Sequence, residues 1–120
     1  MSYFSGFVLA VPTANRQAYA DYARKAWPMF QRQGATRLVE AWGDNVPDGK
    51  LTDFKRAVQA RDDETVVFSW VEWPDRATAE AAFHNMQDDP DTARMGEMPC
   101  DGKRMIWGGF ESLVDNRGQA

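Results

Sequence analysis

The chain opens on a segment whose two alternating faces are both apolar. Tyr3, Phe7, Leu9 and Val11 fall on one face, and Phe4, Val8 and Ala10 on the other. That pattern predicts a strand, ending at Pro12, that is covered on both sides. Tyr19, Tyr22, Ala23, Ala26 and Phe30 then recur at helical spacing, with Thr13 as a cap, Pro28 as an internal kink near Arg24 to Trp27, and Gly34 as the stop. Ala35 to Gly43 reads as a second strand, with Leu38, Glu40 and Trp42 on one face. A turn-rich loop, Asp44 to Thr52, leads to a short helix over Asp53 to Gln59 capped by Thr52. Thr65 to Trp73 is dense in β-forming residues. Asp75 caps a second main helix with Ala79, Ala82, Phe83 and Met86 on its buried face, and Asp88-Asp89-Pro90 ends it. After a loop holding one helical turn, Lys103 to Leu113 forms the last strand. Its Gly108-Gly109 pair predicts a bulge or a close backbone approach.

The order strand, helix, strand, strand, helix, strand is the α+β, ferredoxin-like βαββαβ arrangement, with two helices on one face of a four-stranded antiparallel sheet. The opposite face keeps large apolar side chains, and the simplest cover for it is a second copy packed sheet against sheet around a two-fold axis. At 120 residues the chain fits one domain spanning 1–120.

Composition narrows the function classes. A formal charge of −4 leaves Lys and Arg outnumbered and scattered, which argues against a nucleic-acid partner. A single cysteine, Cys100, and a single histidine, His84, exclude an internal disulfide and argue against a structural zinc site, so no metal or cofactor is expected and a reducing cytoplasmic setting is. The apolar run at the start has no basic residue before it and is too short to span a bilayer. It reads as a buried strand, with no membrane partner.

Several stretches resemble one uncharacterised bacterial family, the domain of unknown function 1428, or YbaA-like, family. They are Glu40-Ala41-Trp42-Gly43-Asp44-Asn45-Val46-Pro47-Asp48-Gly49-Lys50 with Thr52-Asp53-Phe54, then Asp63 to Trp70, then Glu72-Trp73-Pro74, and finally Met98 to Glu111. The likeness covers nearly the whole chain. The family's pattern has Phe in place of Cys100 and Tyr in place of Trp107. The resemblance implies a dimeric α+β barrel and no established activity. Cofactor-independent monooxygenases, haem-degrading enzymes and plain ligand binders share that architecture, and fold alone does not choose among them.

Six residues are the pocket candidates: Trp42, Trp70, Glu72, Asp101, Lys103 and Arg104. Trp42 and Trp70 could wall a site for a flat organic ligand, or serve the core and the dimer interface. Glu72, like Glu40, sits in an otherwise apolar strand, where a buried carboxylate acquires a raised pKa and can act as a base. The plainer role is an ion pair with Arg37, Arg104 or a residue of a partner chain at a strand edge. Glu72 shares its strand face with Trp70, which makes that pair the preferred site. Asp101-Gly102 reads as turn chemistry that could bring Lys103 and Arg104 to an anion. His84 matches a haem-degrading histidine by element only and falls beside the apolar stripe, so it reads as solvent-facing. Cys100, next to anionic Asp101, reads as an unreactive thiol. Asp88, Asp89 and Asp91 lack the spacing of a calcium loop. The expected function is a homodimeric small-molecule binder or cofactor-independent monooxygenase-like enzyme. The alternative is a non-enzymatic interaction or structural module.

Overall fold

The computed structural model describes residues 2–118. Its main elements are strand β1 (Tyr3–Pro12), helix α1 (Arg16–Arg32), β2 (Arg37–Trp42), a one-turn helix α2 (Phe54–Ala57), β3 (Glu64–Trp73), helix α3 (Arg76–Met86), a short helix α4 (Pro90–Arg94) and β4 (Ile106–Glu111). The strands form one antiparallel sheet in the order β2-β3-β1-β4, the ferredoxin-like order. β1 is therefore central, pairing Tyr3 with Trp73 on one side and with Glu111 on the other.

Local chemistry explains most boundaries. Gly34 takes φ +102°, a conformation L side chains avoid, and ends α1. The Asp75 side chain accepts from the Thr78 amide at 2.8 Å and starts α3. Two capping expectations are corrected. Asp53 rather than Thr52 caps α2, accepting from the Arg56 amide at 2.7 Å. Thr13 does not cap α1: it lies in a 3₁₀ turn, Thr13–Asn15, and its hydroxyl meets the Thr65 hydroxyl at 2.8 Å. The last strand is shorter than expected because Gly102–Arg104 form a second 3₁₀ turn.

β1 and β4 stay in continuous register through Gly108 and Gly109, so there is no bulge. The glycines mark a close approach instead. The Tyr3 ring lies over Gly109 where a Cβ would stand, and the Phe110 ring lies against Gly6 and Gly108.

Between sheet and helices lie two core clusters. Val71, Trp73, Ala79 and Ala82 form one, and Leu9, Val11, Tyr19 and Val67 the other. Trp73 is 1% exposed and donates its indole N–H to the Ser5 hydroxyl at 3.0 Å, so the largest core side chain carries no orphaned donor. The opposite face is covered at one end by the chain itself. The β2–β3 connection folds back and buries Val58 against Ala10 and Val66. Beyond that patch the face is bare: Phe68 is 47% exposed, Ile106 46% and Phe110 60%. A series of ring contacts runs across it, Phe54 edge-to-face on Phe68 at 6.2 Å and Phe68 tilted against Trp70 at 5.6 Å.

Candidate functional site

A cavity of about 480 Å³ lies between the sheet and its helices. Strand alternation sends Phe7, Leu9, Leu38, Glu40, Ser69 and Val71 toward it from β1, β2 and β3. Helix α1 supplies the facing wall. The segment around α3 and α4 closes one side, held by the Thr92 hydroxyl, which donates to the Met86 carbonyl at 2.7 Å. Arg32 ties the same segment to α1 by bonding Asp89 at 3.0 Å and Asp91 at 2.8 Å, so a guanidinium already sits in that acidic cluster.

The lining is apolar and unusually rich in sulfur. Met29, Met86, Met95, Met98 and Met105 all reach it, which is every methionine after the first residue. Trp107, 68% exposed, stands at the rim with its ring 6.3 Å from that of Phe83. Size and character match small-molecule sites, which are mostly apolar with a few placed polar groups.

Among the described residues, Glu40 is the one charged side chain on this wall. Buried Tyr19 donates its hydroxyl to the Glu40 carboxylate at 2.7 Å, and buried Ser69 is the cross-strand neighbour of Glu40. Desolvation by its surroundings raises the Glu40 pKa above the ordinary 4.5, and the nearby hydroxyls, Tyr19 first, offset only part of that. Burial, with the nearby Glu40 charge, also drives the Tyr19 hydroxyl far above its usual value, so it stays a donor. Among the described residues, no ion pair reaches Glu40. A carboxylate so placed can accept a proton from a ligand or hold a positive group.

None of the six sequence candidates lines this cavity. Trp70 and Glu72 do share a face, as alternation requires, but it is the bare face of the sheet. There the Trp70 indole donates to Glu72 at 3.1 Å and Arg37 pairs with Glu72 at 3.5 Å. Trp42 is on the cavity side but packs beside it, against the Leu9–Val11 cluster, with the Arg16 guanidinium 5.5 Å over its ring. Asp101 closes a turn by accepting from the Lys103 amide at 3.0 Å, and Lys103 is exposed. Arg104 is fully engaged. It grips Glu64 with two bonds of 2.7 Å and also bonds Asp101 and the Gln59 carbonyl. The six are thus spread over the bare sheet face, the edge of the helix-side core and the turn before β4. His84 is exposed. Cys100 is half-buried, and burial with the Asp101 charge pushes its thiol up to about 11, away from thiolate chemistry.

Sequence reasoning had placed Glu40 on a face with Leu38 and Trp42, which is correct. It could not tell that this face, rather than that of Trp70 and Glu72, looks toward the helices, because both faces are apolar. The methionine set was the missed signal, since four of the five fall between residues 86 and 105.

Among the described residues no helix is long and apolar enough to cross a membrane, and no group of three or more His, Cys, Asp or Glu side chains forms a ligand set. The fold is similar to that of a dimeric ferredoxin-like protein from an uncultured marine organism, solved at 1.85 Å. That structure aligns with a TM-score of 0.54 at 15% identity, covering 98% of this chain and all of that one. In sequence, the chain is 53% identical over 116 residues to the uncharacterised protein YbaA of Escherichia coli K12, covering 96% of this chain and 99% of that protein. The YbaA protein of Shigella flexneri matches to the same extent. Residues 2–102 match the family described as protein of unknown function (DUF1428). The chain belongs to that family.

Proposed function

We propose that this chain is a homodimeric small-molecule-binding protein whose ligand occupies the cavity beneath α1. The observation that carries the reading is a largely apolar space of about 480 Å³ with one half-buried carboxylate, Glu40, on its wall among the described residues. Core residues are ordinarily packed to crystal-like density, so a space of this size inside a small domain is an exception that a ligand explains. The dimer half of the proposal rests on the bare sheet face with Phe68, Ile106 and Phe110, an exposed apolar surface of the kind that marks association.

The test is binding of a fluorescent apolar dye to the wild-type protein and to Ala26→Trp. Ala26 is buried on α1 and faces the cavity, so a tryptophan there fills it. One dye per chain in the wild type, lost in a variant of unchanged circular dichroism, is the expected result. Equal dye binding by both would overturn the cavity reading. Sedimentation of wild type against Phe68→Glu tests the dimer, which the charge should split into single chains. A wild-type protein that sediments as a monomer would remove that half of the proposal.

A second reading is an enzyme that abstracts a proton from its ligand, as a cofactor-independent monooxygenase-like activity requires. It is favoured by the raised pKa of Glu40 beside a hydroxyl donor, Tyr19. Loss of turnover on a bound ligand in Glu40→Gln, with affinity kept, would separate catalysis from binding.

A further inference from the structure

The Glu40 carboxylate presents an imbalance that the chain does not correct. An ionised carboxylate away from water is costly unless a positive charge is paired with it. Tyr19 supplies a hydroxyl donor and Ser69 lies opposite on the next strand, yet among the described residues no Lys, Arg or His lines the cavity. The chain carries 14 Lys and Arg residues, and none is placed there. The same lack of basic groups makes the cavity unsuited to carboxylates and phosphates, which need a cation or an array of amides.

The rest of the wall is suited to positive charge. Phe7, Tyr19, Tyr22, Phe30, Phe83 and Trp107 bring six aromatic rings to it, and ring faces attract cations. The five methionines add polarizable, adaptable surface that moulds to flat or branched apolar groups. Acid, rings and thioethers converge on one chemistry.

Building on the cavity reading above, we infer that the ligand is an apolar amine. Its protonated nitrogen sits against Glu40 between Tyr19 and Ser69, and its aromatic or branched body lies among the methionines. The bound ammonium supplies the missing partner charge.

The experiment is calorimetric titration, at neutral pH, of three probes with the same apolar body: naphthylethylamine, naphthylethanol and naphthylpropionate. The wild-type protein should bind the amine at least about tenfold more tightly than the alcohol, the propionate being weakest, since a charge-assisted hydrogen bond in a partly desolvated site is worth about one such factor. In Glu40→Gln the amine should lose that advantage while the alcohol keeps its affinity. The comparison of probes on the wild-type protein stands even if the variant misfolds. Equal binding of amine and alcohol, or tighter binding of the propionate, would overturn the amine inference and leave the cavity reading intact. Failure of all three to bind would overturn both. An amine preference that survives Glu40→Gln would refute the placement of the charge.

Discussion

Tyr19→Phe isolates the polar end of the cavity. The substitution keeps the ring in the Leu9–Val11–Val67 cluster and removes only the hydroxyl that donates to Glu40 at 2.7 Å. A hydrogen bond to a charged acceptor contributes about 1.5–3 kcal/mol, and one between neutral groups about 0.5–1.5 kcal/mol. The loss should therefore approach about 1.5–3 kcal/mol as rising pH ionises Glu40. It should fall to about 0.5–1.5 kcal/mol in acid below the ordinary carboxylate pKa, where Glu40 is protonated, and in the Glu40→Gln background at any pH. Urea unfolding of the wild type, both single variants and the double variant measures this. With a slope of about 1–3 kcal/mol per molar, the wild-type midpoint should drop by roughly 1 M on loss of the hydroxyl. The cycle should return a coupling of about 1 kcal/mol between positions 19 and 40. If Tyr19→Phe costs the same, within about 0.5 kcal/mol, in the wild-type and Glu40→Gln backgrounds, the Tyr19 hydroxyl is not supporting the Glu40 charge and the account of the site fails.

Three further outcomes follow from the same geometry. Because the folded-state pKa of Glu40 lies above its unfolded value of about 4.5, ionisation opposes folding. The penalty is absent below that pH and grows as pH rises toward the folded pKa, so Glu40→Gln should melt like wild type in acid and gain on it as pH is raised above 4.5. Glu64 has the opposite sign. The Arg104 bonds lower its pKa from 4.5 to about 2, so its stabilisation is complete above 4.5 and is lost as pH falls toward 2. Thermal melts across that window should show wild type losing its advantage over Glu64→Gln, and parallel curves would contradict the assignment. Gly109→Ala should destabilise by about 1–3 kcal/mol through overpacking on the Tyr3 ring. The cost should shrink in a Tyr3→Ala background, and additive losses by chemical denaturation would argue against that contact.

The architecture was legible because its signals are local and repeated. Strand runs end at Pro12 and Gly43, Asp75 begins α3, and Gly34 ends α1. Each is short-range chemistry that tertiary packing had no reason to override. The face assignment was not legible. Both sides of β1 and β3 are apolar, so alternation groups Trp70 with Glu72 and Leu38 with Glu40 but does not say which group meets the helices. That depends on packing between elements distant in sequence. The carboxylate in the cavity was within reach, since Glu40 shares its face with Leu38 and Trp42, and only the choice between faces separated it from Glu72. Arg104 shows a different limit. Its partners Glu64 and Gln59 lie some forty residues away, so nothing local reveals that an exposed-looking cation before β4 is fully engaged.

The central place of β1 has a consequence for how the chain is made. Its partners are β3 and β4, and β4 is translated roughly a hundred residues after β1. At about 5–20 residues per second, a nascent chain waits on the order of ten seconds with the backbone groups of its most apolar strand unpaired along at least one edge. Loop closure over such separations is slow, and a free apolar edge is a template for pairing with other chains. The strand that organises the finished sheet is thus the segment most exposed to misassembly during synthesis.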